Sequence, residues 1–229
     1  DWFTTGFWIF VATGLFHPAL SLYFTLESMD RAGATVASTL AATSPIFAAL
    51  TAMILLGESM TPLIAIGTLV TMCGVISLTW MPGTGITRVM RIALVFATAA
   101  AVIRGLVNTT GKFGLDLMPN AMMAGFLSHT VGGLGVLVFY RLRRGRLPLD
   151  MSGAGFRAFG LSGCFIAIAI ACMYSALLRN SVTLVAPVIG TYPVFTLLAA
   201  LALKEEKITL HIAGGVAVVV AGVVLINWM

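Results

Sequence analysis

The sequence predicts an all-α integral membrane protein, and three observations carry that reading. First, 59% of its 229 residues are hydrophobic and only 9% are charged, against roughly 25% charged in a typical soluble domain. A soluble globule of this size must cover most of its exterior with polar groups, which 13 Lys+Arg and 8 Asp+Glu do not achieve. Second, the apolar residues fall into eight runs, each about long enough to cross 30 Å of hydrocarbon as a helix. Third, a stretch of helix, turn and helix occurs twice along the chain.

The runs, bounded by charges, Gly and Pro, are residues 2–26, 34–56, 63–80, 89–111, 120–140, 154–178, 182–203 and 210–228. Barrel strands alternate with period two over about ten residues, whereas these runs are about twice as long and apolar all round, so eight transmembrane helices are expected. Trp2, Trp80 and Trp228 mark span ends, where an indole keeps its N–H at the headgroup level, and Trp8 lies about one turn deeper. With short loops between eight spans there is no room for a large extramembrane enzyme domain.

The net charge of +5 reads as topology. The basic residues cluster between spans, without the aromatic interleaving of a nucleic-acid surface, so no nucleic-acid partner is expected and the lipid bilayer is. By alternate loops, ten basic residues fall on one side (Arg31, Arg88, Arg91, Arg141, Arg143, Arg144, Arg146, Arg157, Lys204, Lys207) and two on the other (Lys112, Arg179). The positive-inside rule makes the first side cytoplasmic. Cys73, Cys164 and Cys172 lie within apolar runs, too far apart along the chain to suggest a disulfide, and are expected as free thiols with no metal site and no cofactor.

The repeat sets the organisation. Residues 31–80 laid over 179–228 give 17 identities in 50 positions without a gap. The matches include Arg31 with Arg179, Thr43 with Thr191, Pro45 with Pro193, Phe47 with Phe195, Glu58 with Glu206, Thr61 with Thr209, Gly67 with Gly215 and Gly74 with Gly222. These residues punctuate a structure: a helix interrupted at Pro, a turn carrying Glu and Thr, then a helix with two glycines seven residues apart. Three spans precede the Pro helix in the second copy and one in the first. The expectation is an incomplete first repeat at 1–80 with three of five helices, a linker at 81–88 and a complete five-helix repeat at 89–229. Eight helices are thus seen of an expected ten, with the two others lying upstream of Asp1. An odd number of spans per repeat inverts one half relative to the other, a signature of secondary transporters.

On these residues the chain resembles the EamA-type members of the drug/metabolite transporter superfamily, which have ten helices. The resemblance is strongest over Ser44, Pro45, Ile46 and Phe47 with Glu58, Thr61, Gly67 and Gly74, and over Tyr192, Pro193, Val194 and Phe195 with Glu206, Thr209, Gly215 and Gly222. It implies two inverted repeats around a central cavity, alternating access to its two mouths, small organic solutes as cargo, and both chain ends on the cytoplasmic side. The setting it suggests is a bacterial inner membrane.

All eight acids lie in loops or at span ends, so no carboxylate is available in mid-membrane to exchange a proton for a cation. Arg104 is the exceptional basic residue, thirteen positions after Arg91 and eight before Lys112 on one span. At mid-depth an arginine costs roughly 2.5 to 3.5 kcal/mol on insertion scales unless it meets water or a partner. It either faces a cavity, where with Asn108 one turn later it can hold a carboxylate or phosphate, or snorkels from a shorter helix. His17, before Pro18 in the first span, and His129, near the middle of the fifth, are candidates for substrate contact or proton relay, against the plainer reading as packing residues.

The prolines bear on geometry. Pro45 leaves the Ala41 carbonyl without its helical donor, Pro193 that of Ile189, and Pro187 that of Thr183. Thr43, Ser44, Thr191 and Tyr192 can supply donors, or the carbonyls face the cavity, making Ser44 and Tyr192 binding candidates; a kink needed for packing is the alternative. Glu58 and Glu206, each followed by a Thr, read as caps for the next helix. Ala213, Ala217 and Ala221, with Gly214 and Gly222 beside them, provide a face of small residues, either for packing within the chain or for a homodimer.

Two function classes compete. One is a secondary transporter of small metabolites; the other is a membrane-embedded enzyme acting on lipid headgroups. The enzyme would need a nucleophile and base or metal ligands converging, whereas His17, His129 and His211 are dispersed with no acid beside any of them in a span. Transport is preferred.

Overall fold

The computed structural model describes residues 4–41, 43–79, 88–144, 153–192, 194–195, 198 and 210–226. Among them there is no strand. The helices are α1 Thr5–Gly14, α2 Ser21–Ala41, α3 Ser44–Leu55, α4 Pro62–Thr79, α5 Arg88–Leu117, α6 Ala121–Arg144, α7 Ala154–Arg179, α8 Val182–Ile189 and α9 Leu210–Ile226. A wider helical turn, Leu15–Leu20, joins α1 to α2. Four stretches among the described residues are long and apolar enough to cross a membrane: Thr5–Arg31, Arg91–Leu117, Ala121–Leu142 and Gly155–Arg179. Shorter apolar helices cover Ser44–Leu55, Pro62–Ser77 and Gly214–Ile226. Trp2, Trp80, Trp228, Pro193, Glu206 and the 81–87 part of the expected linker lie outside the described residues.

Two details differ from the sequence reading. The first span, expected as one helix over 2–26, breaks at His17, whose backbone is extended (φ −144, ψ 125) ahead of Pro18. Conversely Glu27, Asp30 and Arg31, taken as a boundary between spans, lie inside the continuous α2. Charge does not end a helix there, because Glu27 and Arg31 form an ion pair of 2.6 Å at the i,i+4 spacing that supports one. The Arg31 guanidinium also lies 5.1 Å from the centroid of the Phe96 ring.

The chain clusters into two compact units. One comprises Asp1–Leu20 and Thr110–Asn180, the other Ser21–Thr109 and Ser181–Met229. In the second unit the dominant seam is α4 against α9. A Cβ on Gly67 would stand 2.8 Å from the Gly222 carbonyl oxygen, and one on Gly222 would stand 2.8 Å from the Gly67 carbonyl oxygen while colliding with Thr71. A Cβ on Gly74 would meet Val219 and stand 3.1 Å from the Gly215 carbonyl oxygen. Gly67 is the repeat partner of Gly215 and Gly74 that of Gly222. The seam therefore joins each glycine to the repeat partner of the other, as an isologous interface does. Val75, Val194 and Val219 form a buried cluster beside it.

Of the small residues on α9, Gly215 and Gly222 are buried, while Gly214, Ala217 and Ala221 are exposed. A Cβ on Gly214 would meet nothing. Part of the small-residue face thus packs within the chain, and the rest looks outward.

In the first unit α6 carries the packing. Phe10 of α1 is fully buried and meets the Tyr174 ring edge-on at 5.8 Å, and Gly114 leaves room for the Phe10 ring. On α7, in contrast, residues 160–169 are all exposed. Leu161, Phe165 and Ile168 are among the exposed apolar side chains, as suits a helix solvated by acyl chains.

Candidate functional site

The repeated Pro motif is built in the second unit. α2 ends at Ala41 and α3 begins at Ser44, with Thr43 in a turn, while α8 ends at Ile189 and is followed by a turn at Gly190 and Thr191; each stands just before the motif proline in the sequence. Pro45 is consequently in the first turn of a new helix, where a missing N–H costs nothing. This corrects the expectation of a kink within one helix: the Ala41 carbonyl ends α2. The two breaks lie together, since a Cβ on Gly190 would stand 2.8 Å from Pro45 Cγ. Ser44, the first residue of α3, is partly buried, and Tyr192 is exposed. The Thr191 hydroxyl donates to the Val188 carbonyl at 2.7 Å, so it serves its own helix end. Pro187 lies inside α8.

Glu58 has a different partner from the one expected. Its Oε1 accepts from the Val182 N–H at 2.8 Å and its Oε2 from the Thr183 N–H at 2.9 Å. It therefore caps α8, not the helix that follows it, and a carboxylate is well suited to the positive end of a helix dipole. The next helix is capped by Thr61, whose hydroxyl accepts from the Ile64 N–H at 3.3 Å, with Pro62 in the first helical position. Glu58 is thus structural, holding the loop of the first repeat to the first turn of α8.

Arg104 lies on the span Arg91–Leu117. Its Nη2 donates to the Thr25 hydroxyl at 3.1 Å, and Thr25 in turn donates to the Ser21 carbonyl at 2.8 Å. The single Thr25 proton is thereby used, leaving its oxygen to accept from the guanidinium. Arg104 Nε is buried with no hydrogen-bond partner among the described residues, and so is the hydroxyl of Ser28. Ser28 is one turn beyond Thr25 on α2 and fully buried. Two orphaned polar groups thus flank one hydroxyl, and sequence reasoning found Arg104 but missed Ser28 and Thr25. The ordinary helical spacing of Ser21, Thr25 and Ser28 on one face was the available signal. Asn108 follows Arg104 by one turn and is partly buried. Nearby on α5, the Thr109 hydroxyl lies 2.7 Å from that of Thr51 on α3, where Gly105 lets the helices touch at Phe47 and Ala48.

The first unit brings His17 and His129 together, with ring centroids 6.3 Å apart and planes at 87°. Close packing holds them there: Gly14 lies against the Ser128 carbonyl and Gly132 against the Pro18 ring, with no space for a Cβ at either. His129 Nδ1 lies 3.2 Å from the Gly125 carbonyl and 3.2 Å from the Ser128 hydroxyl, and Tyr174 donates to that hydroxyl at 3.2 Å. A cavity of about 440 Å³ between α6 and α7 is lined by His129 together with Met122, Phe126, Ile166 and Ile170. Among the described residues no group of three or more His, Cys, Asp or Glu is placed to hold a metal ion, and Cys73, Cys164 and Cys172 are free.

No curated protein matches the sequence. Twenty-one solved chains match its structure. One, a crystal structure of a protein 19% identical to this chain, superposes with a TM-score of 0.80 over 96% of this chain and 76% of its own; at that identity the likeness is one of fold. The model of the EamA-like transporter family matches residues 1–80 and 91–228, nearly the whole length. With a helical membrane architecture, a doubled Pro, Glu and Gly motif and that match, the chain belongs to the EamA-like transporter family, membrane transporters of the drug/metabolite superfamily.

Proposed function

We propose that the protein is a secondary transporter that moves small organic metabolites across a bacterial inner membrane by alternating access, and that Arg104 binds an anionic group of the cargo. The observation that carries this reading is the buried Arg104 Nε, which has no hydrogen-bond partner among the described residues, in a membrane span. A guanidinium at such depth needs an acceptor, and its Nη2 bond to Thr25 leaves Nε unsatisfied. A carboxylate or phosphate oxygen supplies that acceptor by a charge-assisted hydrogen bond. Alternating access is supported by the inverted repeat, whose two halves can exchange conformations about a fixed site.

The test is uptake by the full-length protein in proteoliposomes, using a panel of labelled monocarboxylates, amino acids and organic phosphates. Arg104→Ala should weaken transport of the anionic cargo by tenfold to a hundredfold or more, from the loss of a hydrogen bond to a charged group worth about 1.5 to 3 kcal/mol. Arg104→Lys should restore only part, because an ammonium does not reproduce the guanidinium fork. Normal uptake by a well-folded Arg104→Ala protein, or chemical conversion of the solute, refutes the proposal.

A further inference from the structure

Ser28 breaks a pattern that other helical hydroxyls of this chain follow. A hydroxyl within a helix commonly donates to the carbonyl four residues back. Thr25 does so to Ser21 at 2.8 Å, Thr51 to Phe47 at 2.8 Å, Thr68 to Ile64 at 2.7 Å and Ser128 to Ala124 at 2.7 Å. The Ser28 hydroxyl is fully buried and has no hydrogen-bond partner among the described residues, its own Phe24 carbonyl included. Thr71 also lacks one, but it is pressed against Gly222 in the α4–α9 seam. Ser28 instead stands one turn from Thr25, the residue that holds Arg104.

We propose that Ser28 and Arg104 together form a carboxylate site for the cargo, in which the Ser28 hydroxyl and the Arg104 Nε–H donate to the two oxygens of a singly charged carboxylate. The proposal deepens the reading of Arg104 as the anion-binding residue and rests on it.

Register brings the two donors into one neighbourhood. Residues three or four apart on a helix lie about 5 to 6 Å apart at Cβ, so Ser28 follows Thr25 along the side of α2 that Arg104 reaches. Nη2 of Arg104 bonds to the Thr25 oxygen at 3.1 Å, while Nε is left unused. A second bridge joins α2 to α5, where the Phe24 and Phe96 rings are 5.6 Å apart and the Arg31 guanidinium stands 5.1 Å from the centroid of Phe96. On α5 the buried residues between Phe96 and Arg104 are Ala97, Ala100 and Ala101, and on α2 Ser28 lies between Thr25 and Arg31. Long side chains thus hold the helices together at two levels, with short ones between. In this conformation both donors are shut away, so a carboxylate reaches them when α2 and α5 part. α2 runs unbroken from just beyond the non-helical His17 to its end at Ala41, so it can tilt as one piece.

The charges of this unit select a monoanion. Among its described residues, Glu27 is paired with Arg31, Glu58 is bound to the N–H groups of α8, and Asp30 and Arg91 are exposed. Arg104 therefore brings one positive charge to be balanced, which a carboxylate does and a phosphate dianion exceeds. The donors agree: one N–H and one O–H match two carboxylate oxygens. A guanidinium has no acceptor, so a cationic group gains nothing from it.

The deciding experiment follows the Arg104 Nε–H by NMR in full-length protein labelled with ε-15N-arginine, in phosphatidylcholine–phosphatidylglycerol nanodiscs, the signal being assigned by its loss in Arg104→Lys. Propionate, benzoate and phenylacetate are the probes, benzamide is the uncharged control, and phenyl phosphate at about pH 8 is the dianion. At least one carboxylate should move the signal saturably and bind more tightly than phenyl phosphate, while benzamide leaves the signal in place. Ser28→Ala should weaken that binding by about tenfold or more, through loss of one hydrogen bond to a charged group. Ser28→Thr, which keeps the hydroxyl, should restore most of it. No response to any carboxylate, tighter binding of phenyl phosphate, or equal affinity in Ser28→Ala overturns the proposal. Uptake of the bound carboxylate into proteoliposomes separates this result from the transporter reading. Uptake by the wild type with a half-saturation raised about tenfold in Ser28→Ala supports a place on the transport path. Binding without uptake overturns that place together with the transporter reading. Uptake lost in Arg104→Ala but unchanged in Ser28→Ala overturns the role of Ser28 alone.

Discussion

The α4–α9 seam and the α6–α7 seam are built on opposite plans. Along the first, glycines face each other's carbonyls so closely that neither Gly67 nor Gly222 could bear a side chain. Along the second, a cavity of about 440 Å³ separates the helices, α7 is exposed over residues 160–169, and Gly163 faces open space. Lipid gives little hydrophobic drive to helix association, so the tightness of a seam depends on packing at close range. The first seam is suited to holding a fixed geometry, and the second leaves room for side chains to move.

The largest effect should come from breaking the tight seam. Gly222→Leu must displace Thr71 and the α4 backbone, and overpacking of this kind costs about 1 to 3 kcal/mol or more; the protein should lose its monodisperse peak in size-exclusion chromatography after mild heating. Gly163→Leu, in open space beside the loose seam, should leave that peak unchanged. Equal effects of the two substitutions would remove the distinction between the seams.

Next in size is the Glu58 cap. Glu58→Ala strips two N–H groups of α8 of their acceptor and should lower stability by about 1 to 2 kcal/mol, read as a reduced melting temperature in detergent. Glu58→Gln, which keeps an oxygen acceptor but not the charge, should retain part of it. The smallest effect is expected from Ala167→Leu, which adds apolar bulk at the α6–α7 cavity. Its melting temperature should stay within a degree or two or rise slightly, since the cavity leaves space for the added methylenes.

Much of this was legible in the residues. The repeat drew attention to the prolines, which read as interruptions of one span, whereas Pro45 stands in the first turn of a new helix; the small residues of the last span marked a face for close packing, of which Gly222 meets α4. Arg104 stood out because charge in a span is rare. The partners were hidden for a physical reason. Glu58 bonds to backbone N–H groups 124 residues away, and every residue but proline has an N–H, so the chain carries no sign of which ones a carboxylate will find. His17 and His129 are likewise brought together from distant parts of the sequence by the packing of their helices. The helix through Glu27 and Arg31 was misread because a charge cluster was taken as an exit from the membrane, whereas an i,i+4 ion pair suits a continuing helix just as well.

The exchanged glycines of the α4–α9 seam also bear on ancestry. Gly67 meets Gly222 and Gly74 meets Gly215, and under the repeat each of these pairs maps onto the other. Two separate copies of a single half could make the same contacts as a symmetric homodimer. Fusing them into one chain leaves such a seam unchanged while freeing each copy to mutate alone. The glycines of this seam keep the symmetry of the repeat, since each close approach has its counterpart under the offset.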